Sequence, residues 1–521
     1  MINPAGPGTS REGGPGEESR FEPSLFELSR SGRLGVILPA NDVPETPLPA
    51  ELLREELALP EADELSVVRH YTNLSQKNFS VDSQFYPLGS CTMKYNPKMN
   101  EEAAGLSGFR RTHPLLPEEK TQGAIALIYK LQESLKGITG FTAFSLQPAA
   151  GAQGELAGLL MIRAWHRNRG DDRRTRILVP DSAHGTNPAT CTMAGFTAET
   201  IPSDPSGAVS LEALKAACAG EKAKTLAGLM ITNPGTLGLF ESAIREITTL
   251  IHDAGGLVYG DGANMNALMG IIKPAALGFD VMHLNLHKSF STPHGGGGPG
   301  AGALGAGPLL EAYLPGPTAV LKTGVSPAGN GGGEPVYTLG TPKKSIGRMK
   351  AFNGNFSVLL RAYAYIRVLG REGIRRVAEH AVLNANYLRI LIQDDYPTPF
   401  GKGRFCMHEF AASPALGPGI TTMDIAKRLI DFGFHPPTVY FPLIVKEAFM
   451  VEPTETESRE TLEAFAEALK TIAREARNSP ETLKTAPASL GSAGLRVNPA
   501  PVGRLDETSA ARKPILRCGE S

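Results

Sequence analysis

Four short apolar runs constrain this chain more than any other feature: Arg176–Val179, Leu226–Thr232, Leu257–Gly260 and Asp280–Leu284. They alternate with helical stretches. Runs this short and continuously apolar suit parallel strands whose two faces are covered by helices. The helical stretch at about 241–253 lies between the second and third runs, which makes a βαβ unit. Upstream, Ala126 to Leu135 reads as a helix, and Gly151-Ala152-Gln153-Gly154 opens another, followed by Leu156, Leu159 and Leu160.

After about 355 the pattern changes. Helices are expected over 356–370 and about 372–393, then a strand Arg404–Ala411, a helix Thr422–Phe432, strands Val439–Leu443 and Ala448–Glu452, and a helix Ser458–Arg477. In that last helix Leu462, Phe465, Leu469 and Ile472 share one face. The organisation read from these patterns is a tail over 1–20 and an N-terminal extension over 21–122 that wraps a partner or the active site. A large α/β domain follows over 123–355, a small α+β domain over 356–477, and a second tail over 478–521. Both tails are Pro/Gly-rich and apolar-poor, so they are expected to be disordered. The stretch 60–122 is polar and irregular, as functional or partner-wrapping segments often are.

Composition removes several classes. Lys+Arg number 52 against Asp+Glu 53, so no global field draws the chain to nucleic acid or an anionic membrane. No apolar run approaches the ~18 residues of a membrane helix. The cysteines Cys91, Cys191, Cys218, Cys406 and Cys518 are scattered without a CxxC pair, against a disulfide scaffold or a zinc knuckle, and no metal is expected. The first residues lack a basic region leading into an apolar one, and Glu12, Glu17, Glu18 and Glu22 make them acidic. The expectation is a cytoplasmic protein.

The chemistry lies just past the apolar runs. His287-Lys288 follows one of them and precedes His294 and a glycine run. A buried lysine there has a neutral amine available to a carbonyl, as in a Schiff base, although an isolated His-Lys pair is most often a solvated turn. Asp261 ends the preceding run, where ligands of open α/β sheets bind. Alone it reads as a turn or cap residue; paired with Lys288 on consecutive strand ends it reads as the carboxylate that keeps a pyridinium protonated. Gly151-Ala152-Gln153 would offer the free N–H groups of a helix N-terminus to a phosphate. His184, after another run, could stack on a flat ring or serve as a hydrogen-bonded loop histidine, and Thr232 could face the ring or cap a turn. Together these residues outline a large-domain, fold-type I pyridoxal phosphate (PLP) enzyme.

The strings YPLGSCTMKYNPK (86–98), QPAAGAQGE (147–155), DSAHGTNPAT (181–190), TNPGTLGLFE (232–241), DGANMNA (261–267) and HLNLHKSFSTPHGGGGPG (283–300) closely resemble the P-protein family of the glycine cleavage system, glycine dehydrogenase (decarboxylating). The resemblance spans about 60–475 and fits the lysine-bearing half, the second subunit of the two-subunit form. It implies a PLP-dependent transferase-like fold of type I: a mostly parallel α/β domain with a smaller C-terminal α+β domain. It also implies release of CO2 from glycine and transfer of the aminomethyl group to the lipoyl group of an H-protein. Its implied catalytic residues are Lys288, His184 and Asp261, with Gly151, Ala152, Gln153, Thr232, Ala263 and His287 also at the cofactor and Asn264, His294, Ser90 and Cys91 toward substrate. Its implied partners are a homologous subunit 1, in an α2β2 heterotetramer, and lipoylated H-protein. The alternatives are another fold-type I enzyme, such as an amino-acid decarboxylase or a desulfurase, and a non-catalytic structural subunit. Asp261 and Lys288 argue against the last.

Overall fold

The computed structural model describes residues 22–54, 58–295, 300–322 and 335–487, so the glycines and proline at 296–299 and most of both tails lie outside it. The chain divides into two compact units: one holds the described residues through Ser80 with 485–487, the other runs Val81–Lys484.

In the first unit, α1 (Glu64–Gln76) starts where Asp63 accepts the Ser66 N–H. Within the stretch 60–122, residues 64–76 are therefore helical rather than irregular, because their polar side chains cover a solvated helix. The N–H of Arg30 donates to the Glu61 carbonyl, and Glu61 N–H to Ser29 Oγ. Between these ties Leu34, Val36, Ile37 and Leu38 are 71–86% exposed.

The second unit is built on a large sheet. Its chain order is α2 (Lys98–Gly105), α3 (Gln122–Thr139), β1 (Ala143–Ser145), α4 (Gly151–Asn168), β2 (Arg176–Pro180), α5 (Thr186–Met193), β3 (Thr197–Ile201), β4 (Leu226–Thr232), α6 (Ile244–Asp253), β5 (Leu257–Gly262), β6 (Val281–Asn285), α7 (Leu286–Ser289) and β7 (Gly302–Ala306). Among the described residues seven strands pair in the order β1-β7-β6-β5-β4-β2-β3. Strands β3, β2, β4, β5 and β6 are parallel, and β7 runs antiparallel between β6 and β1. All four apolar runs are strands, and β4 to β7 are buried along their full length. Strand β7 (Gly-Ala-Leu-Gly-Ala) has no β-branched residue to announce it; pairing with β6 on one side and β1 on the other imposes the conformation.

Helix α4 crosses the middle of this sheet on a glycine face. A Cβ at Gly158 would lie 2.4 Å from the Tyr259 ring, and one at Gly154 would lie 2.8 Å from His283 Cβ. Glycine at these two positions lets helix and sheet approach closely, which sets the helix N-terminus against the strand ends.

Strands β8 (Thr318–Leu321) and β9 (Tyr337–Gly340) pair antiparallel. Then come α8 (Phe356–Ile392), β10 (Phe410–Ala412), α9 (Thr422–Asp431), β11 (Thr438–Val439), β12 (Phe449–Val451), α10 (Arg459–Asn478) and α11 (Pro480–Lys484). Helix α8 breaks at Gly370, whose φ of 61° and ψ of −169° are non-helical, where the sequence separates two helices. In α10 Leu462, Phe465, Leu469 and Ile472 are fully buried.

Two expected strands shrink. Arg404–Ala411 yields only Phe410–Ala412, because Cys406 bonds through both its N–H and its carbonyl to the Asn386 side chain, and Met407 N–H bonds to Gly238. Val439–Leu443 stops at Val439, since Tyr440 takes a left-handed φ of 59° and Pro442 lacks an N–H. The expected tail from 478 also begins too early: α11 buries Leu483. Strands β10, β12 and β11 form an antiparallel sheet in that order.

Candidate active site

The parallel strands end together, and the register sets Thr232, Asp261 and His283 side by side across β4, β5 and β6. Lys288 follows on α7, a single turn that leaves the end of β6. It is buried, and its Nζ donates to the Ser90 carbonyl at 2.7 Å. Ser90 has a left-handed φ of 62°, and its N–H donates to Glu409 Oε2 at 2.7 Å.

Asp261 accepts the Ala263 N–H at 3.0 Å and the Asn187 amide at 3.2 Å, and His283 Nε2 stands 3.4 Å from it. Burial raises its pKa, but His283, these two donors and Lys288 together outweigh burial and hold the carboxyl below the usual aspartate value. Tyr259 bonds through its hydroxyl to His283 Nδ1. Asp261 is thus an ionised carboxylate at a strand end, braced from behind by two more side chains.

The first N–H groups of α4, from Gly151, Ala152 and Gln153, precede its intrahelical bonds, and Ala150 supplies no side-chain cap. The Gln153 side chain accepts the Ala149 N–H and donates to the Met349 carbonyl, so it braces the turn. A Cβ on Gly151 would come within 2.7 Å of the Asn285 amide. Asn285 Oδ1 and Thr232 Oγ1, both buried, have no hydrogen-bond partner among the described residues. An unpaired amide oxygen and hydroxyl and an aspartate at the strand ends, beside a free helix N-terminus, suit a flat group that carries donors or a protonated nitrogen on its ring and an anion at one end.

The remaining candidates divide. His287 accepts the Ala301 N–H at 3.3 Å and faces His294 with ring centroids 5.4 Å apart. Burial, then Lys288 and His294, press its pKa down to about 3, so it is a neutral hydrogen-bonding group. Burial likewise lowers His294, whose Nε2 is 3.9 Å from Cys91 Sγ. Burial raises the Cys91 thiol, against the attraction of Lys288. Asn264 donates to the Pro234 carbonyl and to Glu409. His184 is half-buried, bonded to Thr186 Oγ1 at 3.3 Å and tilted against Phe441 at 5.2 Å.

Sequence reasoning missed Glu409, Glu452 and His408, which are buried beside this group. Their signal was ionisable residues carried by the expected strands: His408 and Glu409 inside Arg404–Ala411, and Glu452 closing Ala448–Glu452. It also left Lys94, inside the 86–98 string, without a role. Lys94 Nζ is buried against Glu455 at 2.7 Å and also donates to Asn266, Ser289 and Tyr365.

The chain is similar to known proteins along nearly its whole length. The family described as "Glycine dehydrogenase, C-terminal domain" matches residues 377–490. A protein of Caldanaerobacter subterraneus subsp. tengcongensis named "Probable glycine dehydrogenase (decarboxylating) subunit 2" is 54% identical, over 95% of this chain and 98% of that one. Its counterpart in Desulforamulus reducens is 53% identical, over 95% and 99%. Among solved structures, a glycine decarboxylase (P-protein) of the glycine cleavage system in inhibitor-bound form superposes with a TM-score of 0.67 at 23% identity, over 82% of this chain and 93% of that one. A cysteine desulfurase of Thermococcus onnurineus superposes at 0.56 and 16% identity, over 75% and 95%. At those identities the two structures support the fold: the mostly parallel α/β architecture of fold-type I enzymes, as expected from the strand ends.

Proposed function

The chain belongs to the glycine dehydrogenase (decarboxylating) subunit 2 family, the glycine-decarboxylating component of the glycine cleavage system, and from that premise we propose how its residues serve the reaction. The observation that carries the proposal is Asp261 and Lys288 on consecutive strand ends, beside the open N-terminus of α4. These residues fit pyridoxal 5'-phosphate. Lys288 Nζ would hold its carbonyl, the N–H groups of Gly151, Ala152 and Gln153 its phosphate, and Asp261 its ring nitrogen. When bound, this cofactor supplies a protonated ring that takes up the electron pair left on glycine Cα as CO2 departs.

The chain's own groups do the rest. Asp261, kept ionised by His283 and its two donors, would keep a proton on the ring nitrogen. Asn187 and the Ala263 N–H fix the direction of that carboxylate. His184 is assigned to the face of the ring. Thr232 and Asn285 offer the unpaired acceptors at the strand ends. Neutral His287 and His294, with Asn264, Ser90 and Cys91, are assigned to the side where glycine and the lipoyl arm arrive. Gly151→Val should weaken cofactor binding roughly tenfold or more, because side-chain bulk enters the cradle while α4 persists. Fluorescence titration with pyridoxal phosphate reads this, and unchanged affinity would remove the cradle from the proposal.

Subunit 1 and lipoylated H-protein complete the assembly, in which subunit 1 closes the site and the lipoyl group takes the aminomethyl group. The exposed Leu34, Val36, Ile37 and Leu38 support an N-terminal extension that lies on the partner, since such a run left in water is costly. The test is glycine–bicarbonate exchange by this chain alone, with subunit 1, and with both subunits plus H-protein. Near-inactivity alone and restoration by the partners is expected, with restoration lost when residues 33–53 are deleted. Full activity of the chain with H-protein alone, where no partner is detectable, refutes the split site.

A further inference from the structure

Glu409 and Glu452 flank a cross-strand pair: Phe410 faces Val451 in antiparallel register, so the two carboxylates are the next neighbours along the sheet. Both are almost wholly buried, and like charges directly opposite on adjacent strands repel. One oxygen of each and His408 Nε2 lie within 4.8 Å of one another. Neither His408 ring nitrogen has a hydrogen-bond partner among the described residues. Burial, then Lys288 and Lys94, keeps that imidazole neutral, at about 3.

The pair grips one loop. Ser90 N–H donates to Glu409, Thr92 Oγ1 donates to Glu452, and the Glu452 N–H reaches the Pro87 carbonyl at 3.4 Å. Leu88 forms a bridge with Val451, and Thr438 Oγ1 donates to the Gly89 carbonyl at 2.7 Å. A Cβ on Gly89 would stand 2.4 Å from Met450 Cγ, so the loop lies flat on the small sheet. What the held loop presents to α7 is the Ser90 carbonyl, the acceptor of Lys288 Nζ.

We propose that Glu409 and Glu452 share one proton and act as positioning residues, pinning the Ser90 carbonyl as the docking point of the Lys288 amine when it is not bonded to cofactor. The use made of that docking point rests on Lys288 being the cofactor lysine; the shared proton does not. The groups facing the pair are His408 at the same strand end, Cys91 and Lys94 from the loop side, and Lys288 from α7. Burial is the main cause that lifts Glu409, to about 7, and burial followed by Glu409 lifts Glu452 well above the usual carboxylate range. Folded-state values above the unfolded ones mean that stability is retained at low pH and falls as pH rises through about 7.

The test uses the full-length chain without cofactor, then the reconstituted enzyme. The wild-type melting temperature should fall between pH 6 and 8.5, and Glu409→Gln or Glu452→Gln should flatten that slope. Hydrogen exchange over 88–92 should quicken about tenfold or more in Glu409→Ala, which has no acceptor for Ser90 N–H, and far less in Glu409→Gln. In the reconstituted enzyme Glu409→Ala should lower kcat about tenfold with KM for glycine little changed, and Glu409→Gln should shift the alkaline limb of the pH profile. A pH-independent wild-type melt, a Gln variant with the wild-type slope, or exchange at 88–92 indifferent to Glu409→Ala would each overturn the proposal. So would a stoichiometric metal ion that Glu452→Gln releases. If Glu409→Ala fails to fold, the Gln variants still decide. Inactivity of the reconstituted wild type would count against the functional reading alone, leaving the melting and exchange results to judge the pair.

Discussion

Lys288→Ala should lower glycine decarboxylation by the reconstituted enzyme by about 10,000-fold or more, because no other amine in the site can take its place. Lys94 is the buried lysine to compare with it, and it is held by Glu455, Asn266, Tyr365 and the Ser289 carbonyl. Among the described residues Lys288 has one hydrogen-bond acceptor, the Ser90 carbonyl, and so can leave it. Borohydride reduction of the cofactor-loaded protein followed by peptide mapping should label Lys288. A label on Lys94, or none anywhere, would end this assignment. The substitution should be felt beyond catalysis, since Asp261, Glu409 and Glu452 all have the Lys288 charge among the influences that lower their pKa. Removing it should raise all three. The variant should therefore lose more stability at alkaline pH than at pH 6, which a melting series checks.

Asp261→Asn should keep the fold and bind cofactor, yet lose roughly 100- to 1,000-fold in glycine–bicarbonate exchange. The amide can still accept the Ala263 N–H, so the end of β5 is preserved. The lost element is the negative charge that holds a proton across from it. Because the Asp261 pKa lies below the usual value, its contribution to stability is present above the unfolded aspartate pKa and disappears as pH falls through the lower, folded one. The Asn variant should thus show a weaker acid-side loss of stability than wild type. Near-normal exchange by a folded Asp261→Asn protein would reduce Asp261 to a turn residue.

The large sheet was legible because its information is local. Strands β2, β4, β5 and β6 are short apolar runs, and the polar residues at or just past them lie toward the carboxyl ends of the strands, the ends at which the sequence places Thr232, Asp261 and Lys288. Gly370 was legible for the same reason: its own φ breaks α8. Strand β7 was not, because Gly-Ala-Leu-Gly-Ala becomes extended only through the ladders on either side.

Tertiary structure alone decided which carboxylates face the lysine. Ser90 and Glu409 are 319 positions apart, and Thr92 and Glu452 are 360. No periodicity links such residues. A glutamate at a strand end reads the same whether it meets water or another carboxylate. Only the packing of the 86–94 loop on the small sheet removes water from Glu409 and Glu452, and desolvation gives their protons consequence. The strand ends of the large sheet are therefore properties of the sequence, while the proton behind Ser90 is a property of the fold.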